Sequence, residues 1–186
     1  MSNLRIIRVR FTALIISGLL LASLAGLASA VLFGLASPTE LRQPVTGLYL
    51  TAFMAAILTV TGVYFSWYFR SLVKIRDTGL EQRQQQRLAR FSRDYWILFL
   101  LYALAAPAVF FLAIGQPVAS APGRFIQLLL LQLSAVTLVG LPTFQLAQEM
   151  IGRLGGELSL QKIQVSLKSR FTLLGGFVPL LSYSVL

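Results

Sequence analysis

The chain has no cysteine and no histidine, and only six acidic residues in 186. Without thiols there are no disulfides and no thiolate metal sites; without imidazole there is no His-ligated haem and no side chain whose ordinary titration falls near neutrality. The acidic residues, Glu40, Asp77, Glu81, Asp94, Glu149 and Glu157, are scattered along the chain and form no evident catalytic carboxylate pair. Asp77 and Glu81 are close enough in sequence to hold a cation, but ion pairing with the neighbouring arginines is the plainer reading. There is no nucleophile–base pair, no Gly-rich phosphate loop and no metal-ligand cluster. The sequence therefore assigns no catalytic, cofactor-binding or metal residue, and no cofactor.

Charge is missing altogether from five long stretches: 11–36, 47–69, 95–115, 125–146 and 171–186. Hydrophobic residues make up 56% of the chain and charged residues 12%, half the usual share for a soluble domain. A helix needs about 20 apolar residues to cross a ~30 Å hydrocarbon core. The first four stretches meet that length. The expected fold is all-α: a polytopic transmembrane helical bundle with five apolar segments. The fifth stops after 16 residues with no polar flank, where a terminal carboxylate in hydrocarbon is costly. A chain truncated before a sixth span is the expectation.

The net charge of +10 points to the membrane and not to nucleic acid, because of where it lies. Arg5, Arg8 and Arg10 precede the first stretch. Arg70, Lys74, Arg76, Arg83, Arg87, Arg90 and Arg93 fall in 70–94, and Arg153, Lys162, Lys168 and Arg170 in 147–170. Only Arg42 and Arg124 fall in the other two connections. Alternate basic loops satisfy the positive-inside rule for one topology. The expectation is a multi-pass protein of the plasma (inner) membrane with a cytoplasmic N-terminus, its basic loops beside anionic headgroups. Residues 1–30 also have features of a secretory signal, with three arginines ahead and Ala28-Ser29-Ala30 as a small-residue cleavage site. The run to Ala36 exceeds an ordinary signal core and favours a first span.

Within the first stretch Gly18, Ala22, Gly26, Ala30 and Gly34 recur every four residues. That spacing makes a smooth stripe on a helix, which lets another backbone approach closely. It is expected to pack tightly on a neighbouring helix, within or between subunits, and a homodimer is the expected assembly. Gln127, Gln132 and Thr137 are candidate intramembrane polar contacts, with Gln145 and Thr143 on the same stretch. Gln132 is the deepest and is expected to face protein, since an unsatisfied amide is costly in lipid. Tyr64, Trp67, Tyr68, Tyr95 and Trp96 are placed as an interfacial aromatic belt. Ser37-Pro38-Thr39-Glu40 reads as a turn, and Asp77-Thr78-Gly79 as the tip of a helical hairpin. Leu160, Ile163 and Leu167, with Phe171 and Leu174, recur at three- and four-residue steps and mark an amphipathic coupling helix that feeds the fifth stretch.

The Arg-rich start, the paired spans with basic links, Arg87-Leu88-Ala89-Arg90-Phe91 and Leu167-Lys168-Ser169-Arg170-Phe171-Thr172-Leu173-Leu174 together resemble the six-span membrane input region that precedes a HAMP linker in bacterial class III adenylate cyclases and some sensor histidine kinases. That resemblance implies a sensory input module that passes helix movement to a cytoplasmic output domain beyond these residues, with no catalytic residue of its own. A fragment of a transporter or permease subunit is the alternative, and an assembly or scaffold protein a third. Glu149-Met150-Ile151-Gly152 is a poor match for the coupling loop of an ABC-importer permease.

Overall fold

The structure, a computed structural model, describes residues 2–77 and 81–154. Among them every regular element is helical. α1 (Ser2–Leu32), α2 (Pro38–Thr46), α3 (Leu48–Asp77), α4 (Glu81–Ala113) and α5 (Pro122–Leu154) follow in order, with a short 3-10 turn at Val118–Ser120 before α5. Four segments are long and apolar enough to cross a membrane: Leu4–Leu32, Leu48–Val73, Arg90–Ala113 and Pro122–Gly152. They mark an all-helical membrane protein. The fifth apolar segment (171–186), Leu160, Ile163 and Leu167 of the coupling helix, and Thr78 and Gly79 of the hairpin tip lie outside the described residues.

Two helices end on glycine for the same reason. Gly34 and Gly115 both take φ of +68°, a left-handed conformation that glycine adopts without a Cβ penalty. After Gly34 the Leu35 N–H donates back to the Ala30 carbonyl at 2.9 Å, and Gly34 N–H donates to Val31 at 3.0 Å. After Gly115 the Gln116 N–H donates to Phe111 at 3.1 Å and Gly115 N–H to Leu112 at 3.2 Å. Each is a Schellman closure, which satisfies carbonyls that the helix end leaves open. α1 therefore stops at Leu32, short of the charge-free limit at Ala36.

The segment read as a turn at Ser37–Glu40 is instead the start of α2. Ser37 N–H donates to Glu40 Oε2 at 2.9 Å, and Glu40 N–H donates to Ser37 Oγ at 3.1 Å. This reciprocal pair is a capping box, with Pro38 in the first helical position where its missing donor does no harm.

Successive long helices run antiparallel, while α1 and α4 run parallel; α1 packs most on α5, and α4 on both α5 and α3. Buried positions follow helical steps: Phe11, Ile15, Leu19, Ala22 and Ala30 on α1, and Phe91, Tyr95, Phe99, Tyr102 and Phe110 on α4. They feed two cores. The larger sits toward the arginine-rich end and is aromatic. Phe91 of α4 is its hub, with ring centroids 5.7–5.9 Å from Phe11 of α1, Phe65 and Tyr68 of α3, Tyr95 of α4 and Phe144 of α5. The smaller core joins Ala30, Ala36, Phe110, Phe111, Leu128 and Leu131 at the opposite end. α3 is the least covered helix: 11% of its apolar window is buried, against 33–39% for the others. Most of its apolar surface is left facing outward.

Candidate functional site

The α1–α5 seam is where the small residues act. Gly18, Ala22, Gly26 and Ala30 are all buried. A Cβ on Gly18 would stand 2.6 Å from Thr143 Cγ2 and Oγ1, and one on Gly26 would stand 2.1 Å from Gln132 Oε1. At Gly18 only hydrogen fits against the stiff threonine, and at Gly26 a side chain fits only if the Gln132 amide moves, so the two backbones approach closely. Gly34 stands apart from the stripe: it lies past the end of α1 and is exposed.

The polar residues of α5 divide by environment. Gln132 is buried, 7% exposed, whereas Gln127 is half-buried and Gln145 exposed. Thr137 and Thr143 donate to the carbonyls four residues back, Leu133 and Val139, each at 2.8 Å. That bond satisfies a hydroxyl inside its own helix. Gln132 has no such local outlet. Its Nε2 is buried and donates to no partner among the described residues.

Two aromatic residues assigned to the belt belong to the interior. Tyr68 is 3% exposed and Tyr95 is fully buried, while Trp67 is 56% exposed. Tyr95 reaches the core because α4 turns it toward α3 and α5, where its hydroxyl donates to the Gly140 carbonyl at 2.8 Å. A satisfied hydroxyl lets tyrosine bury its ring. Nearby, Tyr64 Oη donates to Asp94 Oδ2 at 2.6 Å, and Arg93 Nε donates to Asp94 Oδ1 at 3.1 Å.

At the opposite end one arginine joins three elements. Arg124 Nε donates to the Leu35 carbonyl at 2.9 Å and its Nη2 to Glu40 Oε2 at 3.2 Å. The first bond places positive charge against the C-terminal end of α1, where the helix dipole favours it. The Ser37 backbone N–H, and after it the Arg124 guanidinium, hold the Glu40 carboxyl below the usual carboxylate range.

Between the two cores the helices part around a cavity of ≈ 340 Å³. Its wall is almost wholly apolar, but four polar side chains line it: Ser23 of α1, Tyr102 of α4, Gln132 of α5, and Thr51 of α3, whose hydroxyl donates to the Gly47 carbonyl at 2.8 Å. Tyr102 Oη donates to Ser23 Oγ at 2.5 Å, and Ser23 Oγ donates to the Leu19 carbonyl at 2.7 Å. Pro107, inside α4, also lines the cavity; its ring nitrogen cannot donate to the carbonyl of Ala103.

Sequence reading reaches Gln132 and the small residues opposite it. It misses Ser23 and Tyr102, which look like an ordinary helix serine and one more aromatic until α1 and α4 are brought together. It also misses the start of α2, which the Ser37-x-x-Glu40 capping pattern marks, and the Arg124–Glu40 pair, which has no local signal. Among the described residues no three His, Cys, Asp or Glu side chains group to hold a metal ion. The arrangement offers hydrogen bonding and apolar contact. The chain matches no protein-family model, no curated protein and no solved structure.

Proposed function

We propose that this chain is the membrane-embedded input module of a bacterial signalling protein, resident in the plasma membrane with its N-terminus in the cytoplasm, working as a homodimer and passing helix movement to a cytoplasmic output domain. The observation that carries this reading is the polarity of the packing. At the arginine-rich end a ring cluster locks all four long helices through Phe91. Between this cluster and the smaller core at the opposite end, the same helices part around a cavity. Interlocked cores shift between discrete packings and do not bend continuously. A change at the cavity therefore reaches the locked end as a displacement of whole helices. α3 and α4 carry that displacement further, since each runs beyond its apolar window at the basic end, to Asp77 and from Glu81. The basic flanks Arg5, Arg8, Arg10, Arg70, Arg90 and Arg93 gather at this same end.

Topology and output are tested separately. The chain lacks cysteine, so single cysteines at Gln85, Ser120 and Gln161 report position without background. In intact cells an impermeant thiol reagent is expected to label Ser120→Cys and to spare Gln85→Cys and Gln161→Cys; the reverse pattern removes the proposed orientation. In a protein carrying an output domain after Leu186, Ile163→Asp is expected to change basal output with insertion and expression unchanged. The transporter reading expects instead saturable flux in proteoliposomes that falls with Gln132→Leu more than with Ile163→Asp. That flux result replaces signalling with transport.

A further inference from the structure

We propose that the outward face of α3 is the docking surface for residues 171–186 of this same chain, the charge-free segment outside the described residues, which lies antiparallel along it. The composition of that face is the first argument. Through the middle of α3 the outward positions are Ala52, Ala55, Ala56, Thr59, Val60 and Val63. The large side chains of the same stretch, Phe53, Met54, Ile57, Leu58 and Phe65, turn inward to the aromatic core. The other long helices are built the opposite way. Leu20, Leu21 and Leu24 stand outward on α1, Leu100, Leu101 and Leu104 on α4, and Leu138 and Leu146 on α5. Lipid tails are as apolar as leucine, so attraction between helices in a bilayer comes from close packing, and contact faces collect small residues. α3 has such a face, and no described helix covers it.

Tether, direction and depth identify the occupant. α5 packs on α1 and α4, and α3 packs on the same two helices, so α3 and α5 stand at opposite corners of the bundle. With helix axes about 8–10 Å apart, the far side of α3 lies roughly 20–25 Å from α5. Residues 155–170 join Leu154 to the segment and reach about 24 Å even as a helix. α5 ends at the basic end of the bundle, where α3 carries Arg70, and Arg170 immediately precedes the segment. A segment entering there runs opposite to α3. With Arg170 level with Arg70, Gly175 falls near Ser66, Pro179 near Gly62 and Ser182 near Thr59, so both surfaces are smooth at the same depths. A second copy of the chain lacks the tether, which holds the segment at the high effective concentration of an intramolecular partner.

The test reads proximity alone, with no output or flux measured, so its outcome is separate from that of the signalling proposal. The chain has no cysteine. In membranes containing the full chain, Thr59→Cys is combined in turn with Pro179→Cys, Leu180→Cys, Leu181→Cys and Ser182→Cys, which cover one helical turn, and the membranes are oxidised. Bridges form only where Cα atoms come within about 7 Å. A bridge within one chain, identified by mass spectrometry, is expected with Pro179→Cys and Ser182→Cys and is expected to be lost with Leu180→Cys and Leu181→Cys. Leu101→Cys and Leu138→Cys, on outward faces of α4 and α5, are expected to bridge to none of the four. Ala56→Phe, which raises a ring on the smooth face, is expected to remove the Thr59 bridge with insertion unchanged, whereas Leu101→Phe is expected to leave it intact. No bridge at Thr59, equal bridging by all four partners, bridges at Leu101 or Leu138 in its place, a Thr59–Thr59 bridge between two copies, or a bridge indifferent to Ala56→Phe each overturns the assignment.

Discussion

Phe91→Ala is expected to destabilise the folded bundle by about 3–5 kcal/mol, the range for truncating a buried aromatic ring. Phe91 is 2% exposed and touches rings from all four long helices. In a bilayer the gain from packing is chiefly dispersion, because lipid tails are as apolar as the core. A ring that contacts every helix at once is therefore the costliest to lose, and neighbours held by one another cannot collapse into the space. Thermal unfolding in a mild detergent checks this against Ile97→Ala, whose side chain is 48% exposed and whose loss is expected to stay near 0.5 kcal/mol or below. Equal melting of the two variants removes Phe91 from the centre of the lock.

The second large effect is expected at the α1–α5 seam. Gly18→Leu and Gly26→Leu both force the helices apart, at about 1–3 kcal/mol or more for overpacking. Gly18 is expected to be the less tolerant of the two. Its added Cβ meets Thr143, including the Thr143 Cβ at 3.0 Å, whereas at Gly26 the nearest atom is the tip of Gln132. Threonine on a helix is stiff, and Thr143 keeps its hydroxyl on the Val139 carbonyl. Gln132 can swing its amide toward the cavity that it lines. The smaller change makes the distinction sharper: Gly18→Ala is expected to lower the melting temperature more than Gly26→Ala. Leu21→Ala, at a position 55% exposed, serves as the outward-facing control. Identical melting of all four seam variants and this control makes the stripe incidental.

What was legible in the sequence was whatever depends on one helix at a time. Charge-free runs locate the spans, since a charge in hydrocarbon is expensive whatever its neighbours. Four-residue recurrence places Gly18, Ala22, Gly26 and Ala30 on one face by helix geometry alone. Gln132 is readable as interior because lipid penalises an unpaired amide. The partner of each face was not legible. Nothing local in Gly26 or Gln132 states that α1 and α5 are neighbours, and Ser23 and Tyr102 acquire meaning only once α1 and α4 meet. Tyr95 shows the same limit. Its position beside Trp96 at the start of a span looks interfacial, and only the Gly140 carbonyl across on α5 accounts for its burial. The missed helix α2 has a different cause. Proline and serine at Ser37-Pro38 signal a turn and a helix start equally, and the residue that decides between them is Glu40, three positions later.

The Leu35–Arg124 hydrogen bond closes 89 residues of chain, and this sets an order of events during synthesis. α3 and α4 follow one another closely and can pair as soon as both have left the ribosome. α1, the first helix made, finds its main partner in the last helix described. At about 5–20 residues per second, it waits on the order of ten seconds in the bilayer before α5 exists. Throughout that interval the bare glycine backbone and the Leu35 carbonyl lack the partners that α5 supplies. The glycine seam that binds α1 so closely at the end is thus uncovered at birth, and a helix able to shield it temporarily would find the same small-residue groove that α5 later fills.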